Sequence, residues 1–280
     1  MSIPTTDSLK FDLSQIRDFW TDQAEQHGTS YAASWSDRPV IEMEIEKITS
    51  YLADGDRVLD IGCANGFSSL ALARRKQVTI TGLDYIPEMI NQARLRLAQL
   101  DPDVRDRVQF DVGDITQLDV ADASFDTAVV IRVVINLSTW RNQERGLQEA
   151  ARVVRPGGLL LLSEATLQGL EKLNAFRREW GLPPIPEPPF NQYLDEQQVV
   201  DSLQPQMELV EIANFASTYF VGTRLLKPLL AQLLGRESQV ADPDMHWNRW
   251  FASLPASGDY GTQKLFVFRK RGEFRASAPG

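Results

Sequence analysis

The chain has 280 residues, 43% hydrophobic and 24% charged, enough for one large domain with attachments and a substantial core. Its 38 acidic residues against 29 basic ones leave a net charge of −9, which repels a phosphate backbone and disfavours nucleic acid as a partner. One cysteine excludes an internal disulfide, and with only two histidines, His27 and His246, no metal site is expected. The N-terminal stretch is polar and the apolar run Leu159–Leu162 is far too short to cross a bilayer. The expectation is a cytoplasmic protein without leader or membrane contact.

Residues 11 to about 50 read as helical and carry Phe11, Phe19, Trp20, Tyr31 and Trp35. They are expected to form a lid over residues 1–45, with the sheet domain spanning 46–280. Next, 57–62 (RVLDIG) predicts a strand, 68–75 a helix, 78–84 (VTITGLD) a strand and 87–100 a helix. The stretches 108–114 and 125–134 predict a third and a fourth strand. A helix over 144–154 should stop at Arg155-Pro156-Gly157-Gly158, before a fifth strand at 159–165. Apolar strands alternating with helices argue for a parallel sheet covered on both faces, so a doubly wound α/β fold is expected. Residues 181–190 (GLPPIPEPPF) are too rich in proline for a helix or strand interior and predict a stiff loop. A helix at 194–203, a strand at 207–217 and a helix at 225–235 with Pro228 follow. The last strand, 264–271, would form an antiparallel edge hairpin with the one before it. Substrate-side insertions are expected around 171–205 and 221–258.

The segment Asp60-Ile61-Gly62-Cys63-Ala64-Asn65-Gly66 joins a buried strand to a helix through small residues. Small residues admit a ligand to the backbone, and the carboxyl end of a strand is where such sheets bind ligands. Gly82-Leu83-Asp84 ends the next strand, and its carboxylate either accepts from both hydroxyls of a ribose or caps the next helix. Gly113-Asp114-Ile115 ends the third; Asp114 is placed to accept from an adenine amine, with Ile115 against the base. The dinucleotide fingerprint G-x-G-x-x-G is absent, since Ala64 and Phe67 stand where its second and third glycines belong, and there is no P-loop. The ligand reads as a nucleoside without a pyrophosphate.

With VLDIGCANG, GLD, GDI, SFDTAVV and RVVRPGG in that order, the sequence resembles the class I S-adenosylmethionine (SAM) dependent methyltransferases, closely over residues 40 to 165. The resemblance implies a Rossmann-like seven-stranded sheet with the last strand antiparallel, and SAM as cofactor. It implies Asp60, Gly62 and Gly66 at the methionine part, Asp84 on the ribose, and Asp114 with Ile115 at the adenine. Cys63 and Tyr85 flank these positions and are expected against the cofactor. Ala64 replaces the commoner middle glycine. After the fourth strand Asn136, a neutral amide, is expected near the sulfonium, as the orienting group for a nucleophile or as a turn cap. Arg132 is expected to pair with a carboxylate of SAM or substrate, or to lie on the surface. Trp20, Tyr31 and Trp35 are candidates to face the sulfonium by cation–π attraction, and Tyr193 with Asn191 to close the site from the far side. Asn136, Tyr31 and Tyr193 are thus the candidate catalytic residues. The expected reaction is methyl transfer to N or O of a small molecule. Two alternatives stand beside it. A weaker resemblance to azetidine-2-carboxylate synthases implies an internal attack by the SAM amine, releasing methylthioadenosine. The other alternative is a SAM-binding protein without catalysis. Oligomeric state stays open.

Overall fold

The computed structural model describes residues 10–236, 240–242 and 244–272. Seven strands form one sheet: β1 (Arg57–Ile61), β2 (Thr79–Asp84), β3 (Val108–Val112), β4 (Phe125–Ile131), β5 (Val154–Ala165), β6 (Met207–Ala213) and β7 (Gln263–Lys270). Their order is β3-β2-β1-β4-β5-β7-β6, with β7 antiparallel to both neighbours and the other pairings parallel. The chain reverses direction across the sheet between β1 and β4, and such a switch point leaves a crevice at the strands' carboxyl ends.

Helices cover both faces: α3 (Phe67–Arg75), α4 (Pro87–Ala98), the short α5 (Pro102–Arg105) and α6 (Trp140–Arg152) connect the parallel strands. The strands read as continuous apolar runs because both faces are buried: Val58, Leu59, Ala128, Val129, Val130, Leu160, Leu161 and Leu162 have no exposed surface. Two apolar clusters result, one around Ile41, Val58 and Val129, the other around Leu59, Val130 and Leu162.

At the N-terminus lie α1 (Leu13–His27), a 3-10 turn (Tyr31–Ala33) and α2 (Arg38–Thr49). Asp12 and Gln15 cap α1 reciprocally, each side chain bonding the other's backbone amide. The lid boundary expected at residue 45 falls inside α2, whose Ile41, Ile45 and Ile48 belong to the same cluster as Val58. Within the expected insertions lie α7 (Leu167–Glu179), α8 (Glu196–Leu203) and a continuous helical stretch: α9 (Ser217–Phe220), a π-turn (Val221–Leu226) and α10 (Lys227–Leu234). Pro228 sits where the π-turn passes into α10, so its missing N–H falls at the change from one helical hydrogen-bond pattern to the next. Last comes α11 (His246–Ala252).

One detail differs from the sequence reading. The stretch Arg155–Gly158 belongs to β5, with a register irregularity against β4 and Gly157 at φ +78°, because glycine lets the strand kink and continue. The last two strands do form the expected antiparallel pair at the sheet edge, β7 entering between β5 and β6, with α9–α11 as the long connection between them.

The proline-rich loop, 181–190, acts as a clasp for α1. Phe190 stacks on Phe19 with ring centroids 4.4 Å apart and meets Trp20 edge-on. The Phe11 amide donates to the Pro189 carbonyl, and Lys10 pairs with Glu187 at 2.9 Å. A loop made stiff by proline loses little entropy in holding this position.

Candidate active site

A cavity of about 450 Å³ lies at the carboxyl ends of β1, β2 and β4, roofed by Leu13, Ser14, Arg17 and Trp20 of α1. The turn after β1 forms its floor. Gly62 and Gly66 have φ of +76° and +74°, and Ala64 also takes a positive φ. A Cβ at Gly62 would run into the Val133 side chain, so the first turn position must be glycine. Ala64 tolerates its conformation because its amide is held by Asp84, at 2.9 Å.

Asp84 accepts from two backbone amides, Ala64 through one oxygen and Ile86 through the other, both at 2.9 Å. It therefore ties the turn after β1 to the turn after β2 while lining the cavity. Asp60 lies beside it, 1% exposed, its carboxylate bonded by the Ser69 hydroxyl at 2.5 Å. Neither has an ion-pair partner among the described residues. Burial raises both pKa values to about 6, against the pull of Ser69 on Asp60 and of the two amides on Asp84. Asp114 is exposed at the rim, fixed by the Thr116 amide and hydroxyl at 2.7 and 2.8 Å, with Ile115 buried behind it. Cys63 and Tyr85 also line the wall, and burial pushes both side chains toward the neutral form.

The 3-10 turn Val134–Asn136 follows β4. Asn136 faces the cavity, its Nδ2 donating to the Arg132 carbonyl at 2.7 Å and its Oδ1 accepting from the Trp20 indole at 3.3 Å. It is not a helix cap; Thr139 caps α6. Trp20 thereby joins roof to wall. Arg132 lines the cavity at φ +56°, a conformation costly for a side chain with a Cβ. Its guanidinium is already engaged: it pairs with the buried Glu44 of α2 and lies 5.2 Å from the centre of the Trp35 ring. Among the described residues it is thus neither a free anion receptor nor a surface group.

Three expected site residues lie outside the cavity wall. Tyr31 packs on Phe67, ring centroids 6.0 Å apart, with Arg38 on its other face. Trp35 is covered by Arg132, so its ring is taken by a protein cation. Tyr193 packs into the second apolar cluster, and its backbone amide donates to Glu187. In each case the aromatic ring finds its partner within the protein.

The sequence reading missed Asn65, 1% exposed. Its Nδ2 donates to the carbonyls of Gly28 and Ser30 at 2.8 and 2.6 Å, binding the α1 elbow to the cavity floor. The signal was an amide inside the small-residue turn. Arg17, Ser34, Met89 and Leu137 also line the wall; no local pattern marks them, since they arrive from separate elements.

Residues 58–158 match the methyltransferase-domain family. Over 140 residues, 48% of the chain, the sequence is 34% identical to the 27-O-demethylrifamycin SV methyltransferase of Amycolatopsis mediterranei, spanning half the length of that relative. Among solved structures, magnesium protoporphyrin IX methyltransferase from Synechocystis with bound SAH superposes at a TM-score of 0.59 with 15% identity, covering 93% of this chain and 100% of that one. The [4+2]-cyclase SpnF gives the same TM-score at 21% identity, covering 97% and 98%. These matches place a methyltransferase domain over residues 58–158 and support SAM as its cofactor, while the chain spans half or less of the length of the first curated relatives it matches.

The cavity fits that cofactor on its own terms. Its volume lies in the range of small-molecule sites, and two buried carboxylates without cationic partners face a ligand that carries positive charge.

Proposed function

We propose that the protein transfers a methyl group from SAM to N or O of a small molecule. The observation that carries this reading is the pair Asp60 and Asp84, buried and unpaired in the wall of one cavity. Asp84 would take the ribose hydroxyls, Asp114 and Ile115 the adenine, and Asp60 with the Gly62–Gly66 turn the methionine part. When bound, the cofactor supplies a methyl group already activated by a positively charged sulfur.

The protein's task is then orientation and exclusion of water. Asn136 and Trp20 stand together where the roof meets the turn after β4, and Asn136 keeps one amide hydrogen and one lone pair beyond its two protein bonds. They would orient the incoming nucleophile there. Among the described residues the wall contains no histidine, lysine or glutamate, and its carboxylates, Asp60, Asp84 and Asp114, are assigned to the cofactor. A nucleophile entering the cavity must be reactive without a strong base, as an uncharged amine or an ionised oxygen is. The net charge of −9 supports a small molecule over nucleic acid as acceptor.

That wall composition also favours a second reading, in which SAM is the sole substrate and its own amine displaces methylthioadenosine to form azetidine-2-carboxylate. An amine tethered in the same molecule needs orientation more than a base. The deciding experiment is product analysis from SAM, with and without a panel of small amines and hydroxyl compounds. S-adenosylhomocysteine together with a methylated acceptor is the expected result. Methylthioadenosine without acceptor selects the second reading. SAM binding with neither product overturns both and leaves a binding protein.

A further inference from the structure

We infer that Glu164 is a positioning residue, which holds the turn Val133–Ile135 in one conformation and so sets Arg132 and Asn136 at the reacting end of the cavity. The inference rests on the placement of that end under the proposed function. Glu164 lies near the end of β5, with no exposed surface, and is not part of the cavity wall. One of its oxygens accepts from the amides of Val133 and Val134, at 2.8 and 2.7 Å, and the other faces the Ile135 amide at 3.4 Å. Three consecutive N–H groups thus converge on one buried carboxyl.

The first amides of any helical turn lack partners within it, and here no side chain of the turn itself caps them. Glu164 fills that role from the neighbouring strand. The strand pairing offers it a cation instead, since Lys264 of β7 stands opposite in register. The Lys264 ammonium, however, pairs with Glu196 and Asp259, each at 2.7 Å, which leaves Glu164 to the amides.

Other groups fix the carbonyl side of the same turn. Gln143 donates to the Val134 carbonyl at 3.2 Å, and the Gln192 amide to the Ile135 carbonyl at 2.6 Å. The Arg132 amide donates to Ser163, and its side chain to Glu44. A left-handed residue outside glycine persists only where its surroundings over-determine it, and these bonds supply that condition for Arg132. Because Asn136 donates to the Arg132 carbonyl, an error in the turn passes directly to the Asn136 amide.

The test is Glu164→Gln, which preserves shape. Its single oxygen serves Val133 and Val134, but its amide then confronts the Ile135 N–H, donor against donor. Glu164→Asp, which keeps the carboxyl and withdraws it by one methylene, is the second variant, used where the first fails to fold by its thermal transition. Three readouts are taken: SAM affinity by calorimetry, turnover, and hydrogen exchange of residues 132–136. The expected result is turnover down roughly tenfold, the scale of one lost hydrogen bond, with SAM affinity within about threefold of wild type and faster exchange at 133–135. Unchanged exchange at 133–135 overturns the inference, whatever happens to turnover. So does a loss of SAM affinity that matches the loss of turnover, which would make Glu164 a support of the whole site. If the wild-type protein turns over nothing, the proposed function fails by itself, and exchange at 133–135 still decides whether Glu164 holds the turn.

Discussion

Replacing Asp84 by Ala probes the cofactor site at the position where most can be worked out. A carboxylate offers about four acceptor sites. The Ala64 and Ile86 amides occupy two, leaving two toward the cavity. Two charge-assisted bonds to a ribose are each worth about 1.5–3 kcal/mol, and water entering the vacated space restores part of that. The expected loss is about 2–4 kcal/mol, roughly 30- to 1,000-fold in the SAM dissociation constant. The pKa of about 6 adds a second signature. If SAM binds the ionised carboxylate, roughly one molecule in ten is competent at pH 5, so wild-type affinity should fall about tenfold between pH 7 and pH 5. Asp60 has a pKa of about 6 as well and repels Asp84, so the two titrate as a pair, and the repulsion spreads the fall over a wider range of pH. Stability without ligand runs the other way. A carboxyl whose folded pKa exceeds its unfolded value stabilises at low pH and loses that contribution as pH rises, here between about 4 and about 6. Calorimetric titration of SAM into both proteins at pH 5, 6 and 7 measures the binding effects. Wild-type affinity in the Asp84→Ala variant, or a flat pH profile for the wild type, would refute the assignment of Asp84 to the ribose.

Asn136→Ala should reduce turnover by roughly ten- to a hundredfold while SAM affinity stays within about threefold, because the amide orients rather than binds; steady-state kinetics beside calorimetry checks this, and full turnover would remove Asn136 from the reacting centre. Hydrogen exchange over residues 15–37 should slow when SAM binds, since α1 roofs the cavity and is tied to its floor through Asn65. In Phe190→Ala, which lacks the ring stacked on Phe19, exchange in α1 should be faster in the free protein and the SAM-induced slowing larger; equal exchange with and without SAM in both proteins would mean that α1 is a fixed wall.

The parallel half of the sheet and the carboxylates along it were readable because each signal is local. A buried strand, an acidic residue at its end and a small-residue turn occur within a few positions, as at Asp60–Gly66, and Asp60, Asp84 and Asp114 all line one cavity. What failed was partner choice over long distances. Trp35 and Arg132 both looked like ligand-facing groups, yet each is the other's partner across about a hundred residues of chain. Tyr31 likewise found Phe67 and Arg38. Glu44 and Glu164 carry no motif at all; they matter because the fold buries them beside one turn, and burial of that kind is decided by tertiary packing.

The insertion of β7 between β5 and β6 also governs the order of assembly. Five strands can pair as they emerge, but the apolar flank of β5, Leu159–Leu162, then stands open as a sheet edge. β6 has no other neighbour than β7 and cannot dock before it. Both wait while α7, α8 and α9–α11 are made, and the closing step is a contact between remote segments, entropically expensive and slow. During that interval the open edge is a template for pairing with another unfinished chain. Every residue assigned here to the cofactor precedes Arg155, yet the sheet that aligns them is sealed only by Gln263–Lys270, so a break in the last strand would abolish soluble protein while leaving the site's own sequence intact.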